Sequence, residues 1–147
     1  MSKSNSFETE LLLLIFNNTN IPNIGDVGGL RSSVTEGSLY ISLNTADPGE
    51  SGNASTSEAA YTGYARVGVT RNIAGWTITN NNVTNAADII FGTATAGTPE
   101  TVTHWTICKG SAGSSVILYS GSLSSSLIIN NNIAPRIIAG ALNVNED

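Results

Sequence analysis

From Ser38 onward, apolar residues return at every second position in short runs, and a cluster of Gly, Asn, Asp or Pro cuts the pattern about every 8–15 residues. Period two gives an extended chain one face for a core and one for water, a pattern that does not suit a helix. Leu39, Ile41 and Leu43 share a face over residues 38–45, and Asp47-Pro48-Gly49 then turns the chain. Residues 50–62 are small and polar and read as a surface loop with one helical turn at 57–60. Residues 64–69 alternate, as do 76–79, and Asn80-Asn81-Asn82 supplies a tip that tolerates positive φ before Val83 resumes. Further strands are expected at 89–91, 102–108, 116–119, 127–129 and 137–144, with a second triple-Asn tip at 130–132. Many short strands between turn clusters predict a mainly β fold, an antiparallel β-sandwich or jelly-roll-like body over residues 38–147.

Residues 1–37 read differently, as a short N-terminal α-helix followed by an extended arm. Ser6 is a cap-type residue, Glu8 and Glu10 lie in the first turn where the helix dipole favours acids, and strong helix formers follow. These features predict a helix over 7–17. Phe7, Leu11, Leu14 and Ile15 follow an i, i+4, i+7, i+8 stripe, but Leu12, Leu13 and Phe16 make the helix apolar nearly all round. A short helix of that kind needs cover on more than one side, so all seven residues are candidates for an interface with another subunit. Residues 17–37 contain Pro22 and glycines at 25, 28 and 29 with little periodicity. Fully extended, this arm would reach roughly 60–70 Å.

Charge narrows the function. Only 12% of the 147 residues are charged, while Ser, Thr, Asn and Gly make up close to 45%. The net charge of −5 leaves no basic footprint for a phosphate backbone, so nucleic acid is not an expected partner. The longest apolar run, residues 11–16, is far short of the roughly 20 residues of a membrane helix. Glu8 and Glu10 stand where a secretory signal would carry positive charge, so a soluble, unexported chain is expected.

Catalytic and metal chemistry lack their parts. His104 is the only histidine and sits in strand-like alternation, with no serine in a nucleophile turn nearby. Cys108 is the only cysteine and, four residues on, lies about 13 Å from His104 along a strand. Asp47 and Glu50 bracket a Pro-Gly turn, too few carboxylates for a calcium loop. The stretch Gly25-Asp26-Val27-Gly28-Gly29 lacks the Lys-Ser/Thr of a phosphate loop. Trp76 and Trp105 alternate with sheet residues and suit core packing better than a sugar platform. No enzyme activity, cofactor or metal is expected.

One set of segments is more specific. Leu39 to Glu50, reading LYISLNTADPGE, then Tyr61-Thr62-Gly63-Tyr64-Ala65-Arg66-Val67, Gly75-Trp76, Asn85-Ala86-Ala87, Thr103-His104-Trp105, Leu118-Tyr119-Ser120-Gly121 and Ala139-Gly140-Ala141-Leu142 together resemble a family of small virion proteins of tailed bacteriophages. The resemblance spans most of the chain and brings no catalytic residues with it. It implies a virion structural protein made in the host cytoplasm. Members are often labelled tail fibre proteins, and similar small β proteins act as head cement or decoration proteins. A cement role on the outside of the head, with the major capsid protein as partner, is the first expectation. A tail fibre or tail adaptor component and a glycan-binding β module are the alternatives. The apolar helix and the local threefold axes of a capsid lattice predict a homo-oligomer, a trimer in preference to a dimer.

Overall fold

In the computed structural model, which describes residues 2–147, the helix α1 runs over Asn5–Asn17. Its cap is Ser4, two residues before the expected Ser6: Ser4 is extended and its Oγ accepts the Phe7 N–H at 3.3 Å. At the other end Asn18 takes the left-handed conformation, φ 52°, and the Thr19 N–H reaches back to the Leu13 carbonyl at 3.1 Å. Nine strands follow among the described residues: β1 (Ser38–Asn44), β2 (Val67–Thr70), β3 (Trp76–Thr79), β4 (Asn82–Asn85), β5 (Ile89–Ile90), β6 (Glu100–Cys108), β7 (Ile117–Ile129), β8 (Arg136–Ile137) and β9 (Asn143–Asn145). The protein is mainly β with antiparallel sheets and one short N-terminal helix, as the alternation predicts.

Two compact units share the chain, each assembled from separated segments. The first takes residues up to Ser38, Val69–Asp88 and Ile137–Asp147. Its sheet has the order β3-β4-β9, with Ile78 opposite Val83 and Val83 opposite Val144. Asn80, at φ 57°, makes the β3–β4 tip, the role the triple-Asn run predicts. Helix α1 lies on β3 and β4, and Phe16 meets Trp76 edge to face at 4.8 Å; both are fully buried. Asn85 is buried here with its amide satisfied: Nδ2 donates to the carbonyls of Ala87 and Ile138, and Oδ1 accepts the Leu142 N–H.

The segment expected to extend as an arm is folded back on itself. Ile21 and Leu30 exchange both backbone hydrogen bonds at 2.9 Å, and the Asn18 side chain both donates to and accepts from the Ser33 backbone. Asn20 accepts the Ser32 N–H at 2.7 Å. The Arg71 guanidinium donates to the carbonyls of Leu14 and Ile15, both at 2.6 Å, and to Ser33 Oγ, tying the helix end to the folded segment. Short polar side chains thus supply the backbone partners that no strand ladder provides, and Ile21 becomes buried.

The second unit takes Leu39–Gly68 and Ile89–Arg136. The largest sheet has the order β2-β1-β6-β7, and Leu39, Ile41, Leu43, Val102, Ile107 and Ile129 form the apolar core of this unit. Ile41 lies opposite Ile107, Leu43 opposite Trp105, and Trp105 opposite Gly121. Inside the same sheet Ser42 Oγ bonds Thr106 Oγ1 at 2.6 Å and Asn44 Oδ1 at 2.9 Å, so the buried hydroxyls are paired. Boundaries differ from expectation at several places: the strand expected over 64–69 is β2, which begins only at Val67 and leaves 64–66 outside it. β6 begins at Glu100; 116–119 and 127–129 are parts of one strand, β7; 137–144 holds two short strands, β8 and β9; and the turn expected at 57–60 lies at 54–57, with Glu58 bridged to Asn44.

Candidate functional site

Of the seven helix residues proposed to form an interface, Leu12 and Phe16 are core residues of the first unit, in line with buried Glu8 at i, i+4, i+8. Phe7, Leu11, Leu13, Leu14 and Ile15 are only half-buried. The cover the helix needs on one side therefore comes from its own sheet. The side still partly in water carries the Phe7, Leu11, Leu14 and Ile15 stripe.

The polar candidates are occupied by local structure. Asp26 Oδ1 accepts the N–H groups of Gly28 and Gly29 at 2.7 and 2.9 Å and pairs with Arg31, which holds its carboxyl below the ordinary carboxylate range. The donors a phosphate would need are thus already engaged. His104 Nδ1 lies 2.8 Å from its neighbour Thr103 Oγ1, and its cross-strand neighbours are Asn44 and Ser122. Cys108 is fully buried with Sγ directed to the carbonyls of Tyr40 and Gly110, at 3.4 and 3.5 Å. Among the described residues no group of three or more His, Cys, Asp or Glu is placed to hold a metal ion. Trp76 and Trp105 are both buried, Trp105 with its ring against Gly121.

Asp47 and Glu50 do meet a concave surface. Asp47 Oδ1 accepts the Gly49 N–H at 2.9 Å to shape the turn, and both carboxylates line a groove of about 540 Å³ with Asn53, Val116, Leu118 and Tyr119. The lining presents two carboxylates, an amide, hydroxyls and aliphatic surface.

The strongest polar constellation went unread in the sequence. Arg66, its side chain 1% exposed, donates through Nε and Nη2 to the two Glu58 carboxylate oxygens, each at 2.7 Å. Its remaining donors hold the carbonyls of Gly110 and Gly113 at 3.0 and 2.8 Å, pinning the loop between β6 and β7. The Glu58 hydrogen bond raises the Arg66 pKa further. Tyr64 OH donates to Glu58 and accepts the Leu43 N–H, and burial pushes its phenol well above the ordinary range. The available signal was an arginine among apolar neighbours in a chain with few charges, since a buried arginine needs a carboxylate; Tyr64 and Arg66 lie just ahead of β2, outside the strand expected over 64–69.

What these elements define is a mainly β protein of antiparallel sheets with one short N-terminal helix. The chain belongs to the family described as Podophage GP4 fiber I protein gp80, whose model matches residues 2–145. It is accordingly a bacteriophage virion structural protein. A search of curated proteins returns no match.

Proposed function

We propose that this chain is a component of the tail-fibre apparatus, contributing binding surface and rigidity and performing no chemistry. The family match across residues 2–145 carries the reading, since the family is described by a fibre protein. The fold supports it. A long self-standing shaft needs heptads or a strand repeat, whereas α1 and nine short strands form two compact units suited to a joint or tip. The low charge suits contacts built on apolar and hydrogen-bonded surface. The head-plate role remains the competing placement, with the major capsid protein as partner. Copy number and position separate the two. A fibre component is present in few copies around one tail and a head plate in many copies over the whole lattice. Antibody labelling of virions with gel densitometry should place this chain at the tail in the lower number. Label over the head in the higher number would overturn the assignment.

A further inference from the structure

The edge of the largest sheet carries an unusual strand. β7 is 13 residues long and pairs with β6 on one side, while among the described residues no strand of the sheet lies beyond it. A long edge with open N–H and C=O groups is a template for another strand, and proteins guard such edges with charges, prolines or bulges. β7 contains no charged residue and no proline, and the whole run 110–134 carries no Asp, Glu, Lys, Arg or His. Its register with β6 slips between Val102 and His104, opposite residues 123–126. Residues 117–129 are extended throughout, and exposure alternates across the slip except at Ser125: Ser122, Ser124, Ser126 and Ile128 face water while Leu123 and Leu127 are half-buried, and Ser125 is exposed as well. The outer edge therefore stays extended.

Its sequence reads ILYSGSLSSSLII, which is nearly the same chemistry in both directions about Leu123. We propose that β7 pairs antiparallel with β7 of a second copy around a twofold axis at Leu123. On one face Leu118 then opposes the second copy's Ile128, Ser120 opposes Ser126, and Ser122 opposes Ser124. On the other face Tyr119 opposes Leu127, and Leu123 meets itself. Apolar faces apolar and hydroxyl faces hydroxyl, the pairings that stabilise an antiparallel ladder, with Gly121 opposite Ser125 the one exception. Moving the axis by one residue sets Leu118 against Ser126 or Asn130, so the register is specified. Two chains of net charge −5 repel in general, and an uncharged edge is where they can meet. The pair is thus twofold and isologous, in place of the threefold cluster expected from the helix.

Cysteine placement tests the register, because the native Cys108 is fully buried. Under mild oxidation Leu123→Cys should give a disulfide-linked dimer on a non-reducing gel. Ser120→Cys should not, its sulfurs lying six residues apart, about 20 Å, in this register. Charge exchange at exposed positions tests the pairing without touching the core. Ser122→Lys with Ser124→Lys, and separately Ser122→Asp with Ser124→Asp, should each weaken self-association at least about tenfold, and mixing the two variants should restore it. A single-chain mass for the wild type in light scattering at about 100 µM, far above a typical interface Kd, overturns the proposal. So does equal cross-linking of both cysteine variants, or failure of the mixed charge variants to pair.

Discussion

Glu58→Gln keeps the shape of the side chain that holds Arg66 and removes its charge. The guanidinium then stays in a site where its side chain is 1% exposed, and the two 2.7 Å bonds to a carboxylate give way to a bond to one uncharged amide oxygen. Stranding one member of a buried ion pair typically costs about 3–5 kcal/mol. The carbonyls of Gly110 and Gly113 still accept from Arg66, so the lower end, about 3 kcal/mol, is expected. For a chain of this size that lowers Tm by about 6–12 °C, read by circular dichroism. Replacing both partners, Glu58→Leu with Arg66→Met, should cost less than the sum of Glu58→Leu and Arg66→Met alone by at least about 1 kcal/mol, because the stranded charge is gone. Faster amide exchange at residues 111–114 should accompany every variant that moves Arg66. A Tm shift below about 2 °C for Glu58→Gln would refute the claim that the pair organises this unit.

Other perturbations test other elements. Gly121→Ala places a Cβ about 2.5 Å from the Trp105 ring, and this overpacking should cost about 1–3 kcal/mol in urea unfolding with a change in tryptophan emission. Phe16→Ala empties a fully buried site against Trp76 and should cost about 3–5 kcal/mol, against under about 1 kcal/mol for Leu13→Ala on the half-exposed side, compared by thermal melts. Burial, reinforced by Glu100, raises Tyr61 to about 12, and burial raises Tyr64 further, from an ordinary value of 10.0. Stability from these groups is complete below pH 10 and falls as pH rises through 12, because the unfolded chain loses its phenol protons first. Phenolate absorbance from Tyr61 and Tyr64 should therefore appear together with unfolding, and ionisation near pH 10 in the intact fold would contradict their burial.

Strand faces were legible where side chains alternate in size. Leu39, Ile41 and Leu43 lie in the core as read, and Asn80 forms its turn. β7 was legible only at its ends, because serines at 120, 122, 124, 125 and 126 carry no hydrophobic period, and the β6 ladder pairs only Ser120 and Ser122 of them. The fold-back of residues 18–37 depends on Asn18 and Asn20 finding Ser33 and Ser32, long-range pairings that local composition does not encode. Helix α1 was correctly typed, but the line that packs, Leu12 and Phe16, crosses the stripe counted in the sequence. An all-round apolar helix has no moment to say which side faces the sheet. The Arg66 site escaped reading because Gly110 and Gly113, which take its donors, are more than 40 positions away.

The unit holding α1 is threaded through the chain in three pieces, with Val69–Asp88 and Ile137–Asp147 completing it. During translation, then, α1 emerges early with no surface to lie on. β3 and β4 arrive some 60 residues later, and the strand that closes their sheet, Asn143–Asn145, comes after the whole of the other unit has been made. A chain truncated before that point has a two-stranded β3–β4 ribbon in place of the three-stranded sheet on which Leu12 and Phe16 lie. The connectivity thus leaves the sheet under α1 incomplete until β9 has been made.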